Sequence, residues 1–256
     1  MTKWLELIGR EALLCIEQIG LVSQMIIRTL SWIPRPPFRL RHIIKQLEEI
    51  GFNSIPVVLI TAAFTGAVLA LQSYIGFRRF NAQTLVGTVV ALSVTRELGP
   101  VLTGLIVAGR VGSAMAAELG TMRVTEQIDA LVTLATDPIK YLVVPRFLAC
   151  LLAMPLLTVI ADVVGIGGGY FVSVNILHAN PVIYMRRTID FLELKDIYTG
   201  LFKALIFGMI IAIIGCYKGF YTQGGAEGVG KATTGAVVIA SMLILISDYF
   251  LTAMFF

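Results

Sequence analysis

An uninterrupted apolar run in the first third of the chain constrains the fold most. Residues 51–77 contain no charged side chain, and the run ends at Arg78 and Arg79. The hydrocarbon core of a bilayer is about 30 Å thick and needs roughly 20 apolar residues in a helix. A helix also satisfies its own backbone hydrogen bonds, which lipid cannot do. The run therefore predicts a membrane-spanning helix.

Four further runs of this kind follow, so the sequence predicts five spans. They lie near residues 51–77, 85–109, 141–177, 197–217 and 232–256. The composition agrees, because 57% of the 256 residues are hydrophobic and only 14% are charged, against about a quarter charged in soluble domains. We expect an all-α integral membrane protein with one membrane domain over 51–256.

Two of the predicted spans are irregular. Arg96, Glu97 and Pro100 interrupt the second one, and a proline removes a helical hydrogen bond, so we expect a kinked or broken helix. The third run is longer than one crossing requires, which predicts tilting, kinking or projection beyond the membrane.

Residues 1–50 differ from the rest because charged residues interrupt apolar positions such as Leu5, Ile8, Leu13 and Ile16 at helical spacing. This pattern is typical of an amphipathic helix in the membrane interface, followed here by a basic linker. With five spans, 13 Lys and Arg residues fall on the amino-terminal side and 5 on the other. The positive-inside rule then predicts a cytoplasmic amino terminus.

Ionisable residues inside the spans are costly and usually mark a pathway. Arg96, Glu97, Asp162 and Asp248 are the candidates, although they could also pair locally or lie near a membrane surface. Lys203 lies near one end of its span, where we expect its stem to reach the interface.

The segment after the second span carries a different pattern. Val124, Ile128, Leu131 and Ala135 recur at helical spacing between charged residues. This predicts a short amphipathic helix on the inner face. It would either dock on a soluble partner or lie on lipid headgroups.

The motif at 225–231 resembles a phosphate-binding loop, but Ala232 replaces the Ser or Thr that would bind Mg²⁺, and no strand precedes it. We favour a flexible glycine-rich turn. Glycines four apart at 165–169 and 215–219 favour close helix packing or a kink as much as a dimer face. No catalytic or metal motif is visible, and the net charge of +4 reflects topology instead of a nucleic-acid partner.

The segments 92–100, 108–114, 117–127 and 231–234 strongly resemble the MlaE family of ABC transporter permeases, and the Arg-Glu-Leu-Gly-Pro and Met-Arg-Val-Thr-Glu-Gln signatures are specific. The similarity covers about residues 40–256. It implies a homodimeric permease in the bacterial inner membrane that moves phospholipids between the inner and outer membranes. Its partners would be a cytoplasmic ABC ATPase that binds ATP and Mg²⁺, a periplasmic MCE-domain protein and, as a further candidate, a small STAS-domain protein. This chain would itself hold no cofactor.

The resemblance also implies residue roles. The segment 118–131 would be the coupling helix, with ATPase-coupling residues Glu118, Arg123, Thr125, Glu126, Gln127 and Leu131. The lipid pathway would include Leu69, Leu71, Tyr74, Arg96, Glu97, Lys231 and Asp248. An alternative class is an autonomous proton-coupled secondary transporter that uses Glu97, Asp162 and Asp248, although no internal repeat of the kind common in such proteins is visible.

Overall fold

A computed structural model describes residues 2–36 and 40–255, without the side chains of residues 2–12, 14 and 15. The first residue of the predicted amphipathic segment, three residues of its basic linker and the last residue of the fifth predicted span lie outside this description. So do the side chains of Leu5 and Ile8.

All regular secondary structure in the described residues is helical. The helices are α1 Thr2–Trp32, α2 Leu40–Ile50, α3 Ile55–Arg78, α4 Val86–Ser93, α5 Gly99–Val107, α6 Ser113–Val124, α7 Gln127–Thr133, α8 Val144–Asn175, α9 Pro181–Phe191, α10 Leu194–Phe220 and α11 Gly225–Phe255.

Five helical runs in the described part of the chain are long and apolar enough to cross a membrane. They are Leu40–Arg78, Gln83–Val124, Ile139–Asn175, Leu194–Phe220 and Gly225–Phe255. The predicted fold class is confirmed: the protein is an all-α, multi-pass membrane protein.

The second run, Gln83–Val124, is helical throughout but changes its winding twice. Wider π-helical turns occupy Val94–Leu98 and Ala108–Gly112. The disturbance expected near Pro100 thus takes the form of a π-helical turn just before it. Such turns are rare and are frequently found at functional sites.

Helix α8 packs most extensively against α3, and α10, the most buried of the membrane runs, packs against α8, α6 and α11. The backbones of α3 and α8 come so close that a methyl group at Gly66 would overlap the carbonyl of Gly165. At the other glycine pair, a methyl group at Gly219 would lie 2.7 Å from Leu119 Cβ on α6. Both glycine patterns therefore serve helix packing within one chain.

Helix α1 lies against the bundle on one side only. Met25 and Thr29 are buried, whereas Ile16, Ile19 and Ile27 are exposed. The interfacial, amphipathic character expected of the segment stays a prediction.

Two local expectations were wrong. The glycine-rich segment at 225–231 is the start of α11 and not a flexible turn, because helix begins at Gly225 immediately after Gly224, which takes a φ of 89°. The segment 118–131 is not one helix either. It breaks between α6 and α7, where Glu126 adopts a left-handed φ of 60°.

Candidate functional site: a buried ion cluster and an exposed helical turn

The most unusual side chain in the bundle is the ammonium group of Lys203 on α10, which is fully buried. Its Nζ lies 2.6 Å from Glu97 Oε2 and 2.9 Å from Asp248 Oδ1. It also donates to Thr252 Oγ1 at 2.7 Å. An unpaired charge in such a position would be very costly, and here two carboxylates offset it. Lys203 does not reach the interface, so that expectation was wrong.

The helix distortion near Pro100 supplies a further partner for Lys203. Proline has no N–H to donate to the carbonyl four residues earlier, which is that of Arg96. Lys203 Nζ donates to this carbonyl at 3.1 Å. The ammonium group thus joins the distorted turn in the second span to α10.

The neighbouring Arg96 makes a separate ion pair with α10. Its Nε donates to Asp196 Oδ1 at 2.8 Å, and Asp196 is only 1% exposed. The other Asp196 oxygen accepts the backbone N–H of Glu193, as part of the capping box that starts α10. Arg96 and Glu97 therefore hold the distorted turn to α10 at two points.

These contacts make one ion cluster, which joins the Val94–Leu98 turn, α10 and α11. We define it by Arg96, Glu97, Asp196, Lys203 and Asp248. Its two cations face three carboxylates, and the side chains of Arg96 and Glu97 remain about one third exposed at 33% and 35%. The cluster can hold three helices in one arrangement while presenting polar groups at its edge.

Asp162 is not part of these ion pairs. It lies against Gly99, where an added methyl group would overlap its carboxylate. The Asp162 side chain thus fills space that the glycine leaves between α8 and the start of α5.

The three apolar residues of α3 that were expected in the lipid pathway do not line one common cavity. Leu69 lines an open groove of about 500 Å³ whose other lining residues are Ile60, Thr61, Phe64, Thr65, Val68, Gln72 and Leu98. Tyr74 instead lines a smaller cavity next to α9. Leu71 lines neither and is 39% exposed. Leu98 follows Glu97 directly in the chain, so the same π-helical turn contributes one residue to the groove and another to the ion cluster.

Lys231 lies far from the ion cluster. It is 77% exposed and pairs with Glu227 one turn earlier on α11, at 2.7 Å. Seventeen residues separate it from Asp248, which corresponds to about 26 Å along a helix. The structure does not bring Lys231 together with the other pathway candidates.

The six residues expected to couple the permease to the ATPase fall into two groups, because the helix breaks between α6 and α7. Thr125, Glu126 and Gln127 are exposed at the break. The other three make contacts within the chain: Glu118 pairs with the buried Arg146 at 2.8 Å, Arg123 pairs with Asp129 at 2.6 Å, and Leu131 packs against the core.

The apolar face expected for this segment is also divided. Ile128 is buried at 1% exposure, whereas Val124 on the same expected face is 40% exposed. Outside that face, Val132 and Leu134 are exposed at 58% and 73%. We call the exposed residues Thr125, Glu126, Gln127, Val132 and Leu134 the α6–α7 turn surface. It presents polar and apolar side chains together, as a docking surface does.

Sequence reasoning missed Lys203 and Asp196 as site residues. The signal for Lys203 was present, because a lysine inside an apolar run requires a partner unless it reaches water. Nothing comparable marked Asp196, which lies near the start of its span, where an acidic residue is ordinary. Only the packing of α10 shows that it is buried.

The fold and the site define a class: a multi-pass membrane protein with an ion cluster inside its bundle. Comparison with known proteins identifies the family within this class. The family model described as Permease MlaE matches residues 43–254. The chain belongs to the MlaE permease family, as the sequence motifs had indicated.

Individual relatives agree with the family match over most of their length. A probable ABC transporter permease protein of Rickettsia prowazekii is 54% identical over 256 residues, which are all of this chain and 99% of the relative. A probable ABC transporter permease protein of Synechocystis is 50% identical over 84% of this chain and 82% of its own length. The intermembrane phospholipid transport system permease protein MlaE of Haemophilus influenzae is 34% identical over all of this chain and 98% of its own length.

Proposed function

We propose that this chain is the permease subunit of an ABC transporter that moves phospholipids between the inner and outer membranes of a bacterium. The observation that carries the proposal is the family match over residues 43–254, together with full-length similarity to a relative named for intermembrane phospholipid transport. The same match favours this function over an autonomous proton-coupled transporter, since relatives along the full chain are named ABC transporter permeases.

The α6–α7 turn surface is the proposed contact with the ATPase. In this proposal a cytoplasmic ATPase subunit binds ATP and Mg²⁺, and the turn surface transmits the movement of the ATPase to the membrane helices. Exposed Val132 and Leu134 beside Glu126 support this role, because apolar anchors within a polar rim are typical of protein interfaces. The amino terminus is then cytoplasmic, in agreement with the distribution of basic residues.

The groove on α3 is the proposed path for lipid acyl chains. Its lining surface is almost entirely apolar. Leu98 in that lining directly follows Glu97 of the ion cluster in the chain, and we propose that the cluster offers polar groups to a headgroup. Since the groove is open on one side, we propose that a second copy of the chain closes it in a homodimer. A periplasmic MCE-domain protein would exchange lipid with this path, and a small STAS-domain protein is a further proposed partner.

A transfer assay tests the function directly. The permease is reconstituted with its ATPase and MCE-domain partners in liposomes that contain a fluorescent phospholipid, and transfer to acceptor liposomes is followed with and without ATP. We expect ATP-dependent transfer. Transfer that proceeds equally without ATP or without the ATPase would contradict the proposed function.

A variant in the groove tests the path. Val68→Trp places a large ring where Val68 is 54% exposed in the groove, and we expect transfer to fall to the level measured without ATP. The matched control is Val163→Trp on α8, where the valine is 67% exposed outside the groove. Equal transfer by the two variants would refute the groove as the path.

A further inference from the structure

A second cavity, of about 310 Å³, lies at the end of the molecule that carries α7. It opens between the end of α1, the first turn of α2 and the start of the third membrane run. Its lining residues are Trp32, Ile33, Arg35, Ile43, Ala135, Thr136, Asp137, Lys140, Tyr141, Val144, Pro145 and Leu148. None of them belongs to the ion cluster or to the groove on α3.

Two cationic groups in this cavity share one aromatic ring. The guanidinium carbon of Arg35 lies 5.1 Å from the centre of the Trp32 ring, and Lys140 Nζ lies 4.7 Å from it. Within the described residues neither cation forms an ion pair. Among the described residues, the Lys140 ammonium donates only to the Pro36 carbonyl, at 2.9 Å. Two neighbouring cations that are not in direct contact with a carboxylate favour an anionic ligand.

Asp137 lines the same cavity, but hydrogen bonds already engage both of its oxygens. Oδ2 accepts the indole N–H of Trp32 at 3.1 Å. Oδ1 accepts the backbone N–H groups of Ile139 at 2.8 Å and Lys140 at 3.3 Å. These donors are neutral N–H groups, so the carboxylate holds the indole in place and keeps its charge. It can offset only one of the two cationic charges, and the lining keeps a net positive charge.

The other side of the cavity is apolar and continues into the membrane helices. Ile43, Val144 and Leu148 provide this wall. The first and third membrane runs begin at Leu40 and Ile139, so the cavity lies where both runs begin. A ligand that fits both walls carries an anionic group and an alkyl chain.

We propose that this cavity binds the headgroup of an anionic phospholipid. Arg35 and Lys140 contact the phosphate, and the start of an acyl chain lies along Val144 and Leu148. The site is separate from the transport path, and lipid bound in it would contact the Ala135–Lys140 segment that leads away from the α6–α7 turn surface. The inference does not rest on the proposed function, because binding requires neither ATP nor a partner.

Trp32 provides the probe for the test. The sequence contains two tryptophans, so Trp4→Phe leaves Trp32 as the single tryptophan in the full chain, and its emission is excited selectively at the red edge of its absorption. The purified protein in non-ionic detergent is titrated with dihexanoyl phosphatidylglycerol, with dihexanoyl phosphatidylcholine and with inorganic phosphate. We expect a saturable change in Trp32 emission with phosphatidylglycerol at the lowest concentration. Inorganic phosphate lacks the alkyl chain, and phosphatidylcholine carries a compensating cation, so both should bind more weakly.

Charge variants complete the test. Arg35→Gln with Lys140→Gln removes both charge-assisted contacts and should weaken phosphatidylglycerol binding by about tenfold or more. The control Lys45→Gln removes one positive charge from α2, outside the cavity, at a side chain that is 72% exposed; it should change binding by less than about twofold. The thermal midpoint of each variant in detergent shows whether it remains folded.

Three results would overturn the proposal. The first is a Trp32 emission that does not saturate with phosphatidylglycerol. The second is equal affinity for inorganic phosphate, which would make the cavity a site for free anions. The third is equal weakening by Lys45→Gln, which would show that the general surface charge, and not the pair Arg35 and Lys140, attracts the lipid.

Discussion

At the scale of single residues, Lys203 shows how a buried charge is held within a membrane helix. Its ammonium group contacts two carboxylates, one hydroxyl and the carbonyl that Pro100 leaves without its usual donor. Burial alone makes a charge unfavourable, and removal of one partner from such a group leaves the others uncompensated. The stability of the bundle therefore depends on the whole ion cluster and not on any one pair.

Lys203→Met tests this dependence. The substitution leaves Glu97 and Asp248 close together without their cation, so we expect the free energy of unfolding to fall by about 3 kcal/mol. This value is at the low end for a buried pair, because Glu97 is 35% exposed and is partly hydrated. Denaturant unfolding in detergent, followed by circular dichroism, measures the loss.

A triple variant is the matched control for Lys203→Met. The triple variant combines Lys203→Met with Glu97→Gln and Asp248→Asn, so all three charges are removed. We expect the triple variant to recover more than half of the lost stability, because replacing every partner is far less costly than removing one. A Lys203→Met protein that unfolds like the wild type, or a triple variant less stable than Lys203→Met, would contradict this account.

At the scale of helices, the break between α6 and α7 decides which side chains face outward. In one continuous helix the pattern would have placed Val124, Ile128 and Leu131 on a common face. The left-handed residue Glu126 turns α7 instead, so that Ile128 and Leu131 pack inward and Val132 and Leu134 point outward. A substitution that tests partner binding therefore belongs at Leu134, because a change at Leu131 would also disturb packing.

Leu134→Asp tests the proposed ATPase contact. Leu134 is 73% exposed, so the charge costs little in the free chain, but it would have to be buried in the interface. We expect co-purification of the ATPase subunit to fall at least about tenfold, with the thermal midpoint of the permease unchanged. Quantitative pull-down from detergent extracts measures the loss.

The control for Leu134→Asp is Leu194→Asp at the first residue of α10. It makes the same chemical change at a leucine of nearly equal exposure, 71%, outside the turn surface. We expect this variant to retain the ATPase fully. If both variants bind the ATPase as the wild type does, the α6–α7 turn surface is not the contact.

At the scale of the whole molecule, the five membrane runs place the α6–α7 turn and α9 at opposite ends. The turn follows the second run, and α9 lies between the third and fourth runs. An odd number of crossings separates the two, so they must lie on opposite sides of the membrane. The distribution of basic residues predicts that the turn lies on the cytoplasmic side.

Cysteine labelling tests this topology. Cys150 and Cys216 are buried, so a Cys15→Ser background leaves little intrinsic reactivity. Val182→Cys, at a position 72% exposed on α9, should react with a membrane-impermeant maleimide once the outer membrane is opened. Gln127→Cys should react only after the inner membrane is also permeabilised. The reverse order would place the amino terminus in the periplasm.

The sequence by itself determined the fold class and the family, because both depend on local information. Apolar runs of membrane length specify helices regardless of their neighbours, and the Arg-Glu-Leu-Gly-Pro and Met-Arg-Val-Thr-Glu-Gln motifs can be read directly from the chain. The effect of proline on its own helix is also local, and it correctly predicted the distorted turn next to Pro100.

Only the tertiary structure decided which charges meet. Lys203 lies 106 positions from Glu97, and Arg96 lies 100 positions from Asp196, so their pairing depends on how α10 packs against the second span. Periodicity also could not locate the break at Glu126, where one left-handed residue separates Val124, which is 40% exposed, from Ile128 and Leu131, which pack inward. Local sequence specifies a helix, whereas the partners of a buried charge are set by packing between segments that are distant in the chain.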